Sequence, residues 1–391
     1  MARPPPTYKT LPTDSPLWAS EPFRVFFPLG IFAAVFGVAL WPLFYAGLWP
    51  FAPHFQHPRM LMLGFGLAMV VGFLGTAWPR FLEATAFRRW EVIILAVVWI
   101  AGEIAYASHQ LRLGDACSAL LSGLLLILLA RRVKFGEDLP PPGFALAFVS
   151  VALAFGVTVT WALFPDSLSP RSHQILKLLA WQGMLLLPVL GVGSYLFPRF
   201  FVVPGQRPLM SSPRRRMVGV WLSAFLIVGS LILEGFGWVR SASGIRLLAL
   251  GVWAVWATPA IWRSPAPSTR ARALRAAIGM IALALLIRTI WPGPGYAVEH
   301  LLLIGGFGMT LLLVADRVTI GHCADPSAAP AKSRLWRWLI GLILMAAATR
   351  MAADFKLSLL QSHHIYAALL WISAVIIWLI FHARHWGRSS D

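Results

Sequence analysis

Three segments of the chain end alike: Trp78-Pro79-Arg80-Phe81, Phe197-Pro198-Arg199-Phe200 and Ala315-Asp316-Arg317-Val318. The three arginines are 119 and then 118 residues apart, and each closes a long apolar run rich in Gly, Met and Leu. A period of that size in 391 residues points to three copies of one unit. With about four apolar helices per copy, the expected fold class is all-α. The chain should be a polytopic membrane protein of about twelve transmembrane helices in three pseudo-symmetric groups of four. The expected repeats are approximately 24–133, 143–262 and 271–383, within a single integral membrane domain spanning 1–391, with 1–23 as a cytoplasmic tail.

Composition agrees. The chain is 58% hydrophobic and 12% charged, with a mean hydropathy of +0.72, far more apolar than a soluble domain. The runs long enough to span a bilayer are approximately 24–48, 58–78, 91–108, 116–133, 143–164, 174–197, 217–238, 244–262, 271–291, 297–315, 335–352 and 363–383. Several carry interior proline (Pro28, Pro42, Pro188, Pro259), which membrane helices tolerate when neighbours re-satisfy the backbone.

The charges give an orientation. With the N-terminus cytoplasmic, 24 of the 33 Lys and Arg fall on the cytoplasmic side, the asymmetry of the positive-inside rule. Both termini are therefore expected on the cytoplasmic side of a multi-pass membrane protein. The same asymmetry accounts for the net charge of +18 without nucleic acid as a partner. Arg214-Arg215-Arg216 reads as a topology and lipid-headgroup signal. No cleavable signal peptide is expected, because the first apolar run is too long for a signal core. Cys117 and Cys323 fall at opposite faces, so no disulfide or cysteine metal motif is expected.

Histidine placement is the clue to chemistry. His54, His57, His109, His173, His300, His363 and His364 fall in or near the outward ends, against His322, His382 and His385 inside. Imidazole is a common haem and copper ligand and needs a partner at lipid depth. Several at one depth on different helices suit a metal constellation; the competing reading is that interfacial histidines cap helices. His300, 17 residues before Arg317, sits roughly 25 Å along a helix from it, inside the bilayer. His57, His173, His363 and His364 complete the set of candidate metal ligands. Arg288 and Arg350, ending the ninth and eleventh spans on the outer side, are candidates for haem propionates. They suit ion pairs with Glu234, Glu299 or Asp354 equally well.

Two stretches carry a family pattern. One reads His57, Pro58, Arg59, Met60, Gly64-Phe65-Gly66, Gly72-Phe73-Leu74-Gly75-Thr76-Ala77 and Pro79. The other reads His300, Gly305, Met309-Thr310, Arg317-Val318 and Gly321-His322. These resemble the NnrS family of polytopic bacterial membrane proteins, and the resemblance runs over nearly the whole chain. The family's second span opens His-x-His-Glu-Met; here Arg59 and Met60 stand in place of the second His and the Glu, while His57 is kept. The grouping of twelve spans is also similar to the catalytic subunits of haem-copper oxidases and nitric-oxide reductases.

The resemblance implies a haem-binding protein of the nitric-oxide response, with copper as a further candidate cofactor. It implies haem at His300 and His57, and nitric oxide as a small gas ligand. Membrane lipid is an expected partner, and a respiratory electron donor or membrane subunit a candidate one. Turnover of nitric oxide by a haem- or copper-dependent oxidoreductase is one reading. A non-enzymatic haem or copper carrier, or an accessory subunit of a respiratory complex, is the alternative. A secondary transporter fits the span count but not a threefold repeat.

Overall fold

The computed structural model describes residues 16–203, 205–293, 295–322 and 329–386. Among them there is no strand. Twelve long helices run α1 (Phe23–Tyr45), α2 (Gln56–Phe81), α3 (Arg89–Ala107), α4 (Leu111–Phe135), α5 (Pro142–Leu163), α6 (Pro170–Phe201), α7 (Pro213–Gly235), α8 (Val239–Trp256), α9 (Thr269–Ile290), α10 (Gly295–His322), α11 (Arg334–Phe355) and α12 (Leu360–Ala383). All but α8 are long and apolar enough to cross a membrane. The chain is a multi-pass α-helical membrane protein.

The eighth span corrects the expectation. It was expected over 244–262 with Pro259 inside; the helix instead runs Val239–Trp256 and stops before Pro259, which precedes a separate short helix at Ala260–Arg263. Proline disfavours helical backbone in the residue before it, so the helix ends there. The shift takes Arg240 into the helix and leaves it less apolar than its neighbours. Cys323 lies outside the described residues.

Consecutive helices pack in sequence, and α12 closes back on α1. Within this ring α2, α6 and α10 form the interior. Their apolar stretches are 83%, 67% and 67% buried, against 28–61% for the other eight spans. Outward faces of the peripheral helices carry exposed Ile, Leu, Val, Phe and Trp, such as Ile104, Ile127 and Phe225. That apolar exterior is what a lipid environment requires. The three interior helices are those that end in Arg80, Arg199 and Arg317.

Each interior helix also contains a π-helical stretch: Met60–Gly66, Leu179–Gly183 and Leu301–Gly308. π-turns are rare and tend to mark functional positions. Their recurrence at one place in each interior helix supports the threefold repeat, which we propose as the organising unit. A small apolar cavity of about 50 Å³ lies between the three helices. Its lining includes Phe73, Val192 and Leu311, which are successively 119 residues apart.

Buried ion pairs tie the helices together. Arg59 on α2 holds Asp115 on α4 through both carboxylate oxygens, at 2.9 and 3.0 Å, and lies over the Trp161 ring of α5. Tyr106 donates to the same carboxylate at 3.0 Å. Removing one partner from such a pair leaves a buried charge, which costs about 3–5 kcal/mol. Asp115→Ala should therefore destabilise the protein strongly in detergent denaturation. The double variant Arg59→Met, Asp115→Leu should recover most of that loss, whereas equal loss in both would show that the pair is not what joins α2 to α4.

Candidate functional site

The histidine-bearing end holds the candidate site. α1 brings Trp41 and Tyr45 there, the loop after it brings His54, and the first turn of α2 brings His57. His300 closes the first turns of α10, immediately before its π-helical stretch. His364 stands in the first turn of α12, and Arg350 near the end of α11. The Trp41 ring lies 5.1 Å from His54, 6.2 Å from His57 and 4.9 Å from His364. His57, His300 and His364 are within electrostatic reach of one another and of Arg350.

Their hydrogen bonds fix which nitrogen is available. His57 Nδ1–H donates to the Gly37 carbonyl of α1 at 2.9 Å. His300 Nδ1–H donates to the Tyr296 carbonyl one turn back, at 2.7 Å. Each imidazole in that tautomer presents a free Nε2 lone pair. Metal-ligating histidines are commonly oriented this way, with the other ring nitrogen held by a carbonyl. His364 Nδ1 is bonded to the Tyr45 hydroxyl at 2.9 Å, and its buried Nε2 has no partner.

Other expected residues lie elsewhere. His173 is beside Trp161, with ring centroids 5.9 Å apart, and near Arg59 and Lys177 rather than the His57 group. His363 packs against Tyr366 at 5.8 Å, and its buried Nδ1 is unpartnered. Arg350 is paired with Asp354 at 2.8 Å, and Arg288 with Glu234. Among the described residues, no three His, Cys, Asp or Glu groups come close enough together to hold one metal ion. His57 on α2 and His300 on α10 each leave one ring nitrogen available to a bound group.

A buried network adjoins His300. Glu299 accepts a hydrogen bond at 3.2 Å from Gln182, which lies in the π-helical stretch of α6. The Gln182 carbonyl oxygen accepts from Arg246 of α8, and Arg246 and Arg288 both hold Glu234. Two acids and two arginines thus balance in charge. Sequence reasoning did not single out Arg246, Gln182, Trp41 or Tyr45. A signal existed for the last two, since Trp41 and Tyr45 are four residues apart and share a helix face.

The opposite end is structural. Glu21, ahead of α1, is held by Arg24 at 2.6 Å and by Arg80 at 2.5 Å. It also accepts the Nδ1–H of His322 at 2.7 Å, while Arg80 donates to the other nitrogen of that ring at 2.9 Å. Arg24 reaches the carbonyls of His385 and Trp386 beyond α12. Asp316, fully buried, is held by Arg270 at 3.1 Å and by His382 at 2.9 Å.

A ring of helices around three interior ones, with free imidazole nitrogens at one end and carboxylates clamped by arginine at the other, defines a polytopic membrane protein built around a histidine pocket. The model of the family described as NnrS protein matches residues 16–388, nearly the whole chain. The chain belongs to the NnrS family. No curated protein matches it.

The Glu21 carboxyl is displaced well below its ordinary range. Burial by itself would raise its carboxyl, but the hydrogen bond and charge of His322, with the Arg24 guanidinium, outweigh burial and hold the group at about 2 against an ordinary 4.5. Because the folded value is the lower one, this stabilisation is complete above about 4.5 and is lost as pH falls towards about 2. Thermal midpoints of wild type and Glu21→Gln should differ at neutral pH and converge as the pH is lowered through that window. A constant gap would overturn the assignment.

Proposed function

We propose that the protein is a haem-binding protein of the bacterial inner membrane that handles or resists nitric oxide, with both termini cytoplasmic and the histidine pocket facing outward. The observation that carries this reading is the pair of half-buried imidazoles, His57 and His300, each fixed by a backbone carbonyl so that Nε2 is free. Beside them the buried Nε2 of His364 has no partner, and a buried unsatisfied polar group costs about 1–3 kcal/mol unless something binds it. Bound haem would supply a redox-active iron, open to a diatomic gas where a single histidine of the protein holds it.

The residues divide the work. His300 would hold the iron, its fixed tautomer offering the lone pair rather than a proton to the bound group. His57 would be a second residue able to hold the group, or the donor to a second metal beside it. His364 and the Tyr45 hydroxyl form a polar pair in the same pocket, able to hold a proton or donate a hydrogen bond at its edge. Arg350 supplies positive charge for a propionate, and its partner Asp354 would have to share it. Arg59, a cation that would oppose metal binding near His57, is matched by Asp115 and turned away into the helix interface. That pairing leaves the environment of His57 compatible with an iron ligand. For copper, the second candidate, the donors on hand are single imidazoles, since among the described residues three protein donors do not converge.

The test is haem content. His300→Ala and His57→Ala, purified singly, should lose most bound haem or show a shifted Soret band, while His173→Ala should change neither. Unchanged haem and an unchanged band in both pocket variants would sink the reading. A protein that binds haem but leaves nitric oxide unconsumed under reducing conditions would favour the carrier or accessory role. Reporter fusions at the two ends, and in the loop at 46–55, check the orientation. A terminus found outside would reverse the side assigned to the pocket.

A further inference from the structure

Six acidic side chains are buried among the described residues: Glu21, Glu91, Glu103, Asp115, Glu234 and Asp316. Five of them are held by arginine, through Arg24 and Arg80, Arg132, Arg59, Arg246 and Arg288, and Arg270 respectively. Glu103 has no such partner. It is 6% exposed, in α3, four residues from the helix end at Ala107. That places it roughly 6 Å along the helix from that end, within the membrane-spanning stretch.

Its surroundings are built for it. The carboxyl group lies against Gly64, in the π-helical stretch of α2, so closely that a Cβ on Gly64 would sit 2.5 and 2.7 Å from its two oxygens. One turn earlier on α3, Trp99 donates its indole N–H to the Gly64 carbonyl at 3.1 Å, fixing the register of the two helices. Glu103 Oε2 is buried with no hydrogen-bond partner. The titratable and charged groups of the packed helices have other partners: His57 Nδ1–H donates to the Gly37 carbonyl, Arg112 to the Ala162 carbonyl, Tyr45 is bonded to His364, and Arg80 is held by Glu21 at the far end. Arg59 of α2 and Asp115 of α4 hold each other, and Tyr106 is bonded to Asp115 and to Ser118. Cys117 of α4 packs on Gly102, the residue before Glu103. On α1 the one charged residue, Arg24, is at the opposite end, bound to Glu21.

A lone carboxylate at this depth would be an uncompensated charge in hydrocarbon, a state that such groups avoid by taking up a proton. We propose that Glu103 is a proton-binding site within the membrane, carrying one exchangeable proton as the neutral acid in the resting protein. The proton sits on the carboxyl, whose buried Oε2 has no other partner, and exchanges with water from the near, histidine-bearing end of α3. Glu103 is thereby a stopping point for protons entering the membrane interior. The proposal stands whatever the histidine pocket binds.

Infrared spectroscopy of the purified protein without added haem tests it. Wild type at neutral pH should show a protonated-carboxyl C=O band, and that band should move to lower frequency in ²H₂O. Glu103→Gln should remove the band. Glu103→Asp should shift it, and so should Gly64→Ala, whose methyl group displaces the carboxyl. No band in wild type would show an ionised group and overturn the proposal. A band that survives Glu103→Gln belongs to another acid and overturns it equally. A band unmoved by ²H₂O would mark a sealed structural acid rather than a proton-binding site. Should Glu103→Gln fail to fold, an unshifted band in Glu103→Asp overturns the assignment on its own.

Discussion

Arginine gripping a buried carboxylate is the interaction on which the fold rests. Between lipid-facing helices there is little hydrophobic driving force, because the alternative environment is as apolar as the side chains themselves. A charge pair supplies direction instead. Arg59 with Asp115 joins α2 to α4, Arg132 with Glu91 joins α4 to α3, and Arg246 and Arg288 with Glu234 join α7, α8 and α9. Arg270 with Asp316 joins α9 to α10, and Glu21 brings together Arg24, Arg80 and His322. Each bond has few alternatives at that depth, so each restricts which helices can be neighbours.

With the helices placed by these pairs, the three interior ones are free to depart from regular geometry. π-helical turns interrupt α2, α6 and α10, and all three lie beside polar chemistry. In α2 the turn presents Gly64 to Glu103, in α6 it presents Gln182 to Arg246 and Glu299, and in α10 it begins directly after His300. Glycine serves the same end at Gly306, where a Cβ would lie 2.4 Å from Ile281 of α9. The cost of irregular backbone in a membrane is met by burying it inside the bundle, where neighbouring helices surround it.

The two ends of the molecule use the same residue types differently. At the arginine-bearing end both nitrogens of each ring are engaged, His322 by the Glu21 carboxylate and the Arg80 guanidinium and His382 by the Trp378 carbonyl and the Asp316 carboxylate. At the other end His57 and His300 have one nitrogen engaged and one free. His322 of the Gly321-His322 motif is thus a fold element, closing on Glu21, while at the other end ring nitrogens stay without a protein partner.

Much of this was legible in the sequence. Apolar runs of about twenty residues, the period of 118–119 between Arg80, Arg199 and Arg317, and the segregation of histidine from arginine depend on local composition, and local composition survives any packing. They gave the membrane class and eleven of the twelve span positions to within a few residues, and they put His57 and His300 at one end of the bundle. Span eight was misplaced because Pro259 was read as interior when proline there ends the helix. What only the tertiary structure decided is which charge meets which. Arg59 looked like a hazard beside His57 until Asp115, 56 residues away, matched it. His173 shares the outward end with His300 yet stands beside Trp161, and Glu103 differs from five other buried acids only in lacking an arginine across a helix interface. Such pairings depend on helix rotation and crossing, which no single apolar run specifies.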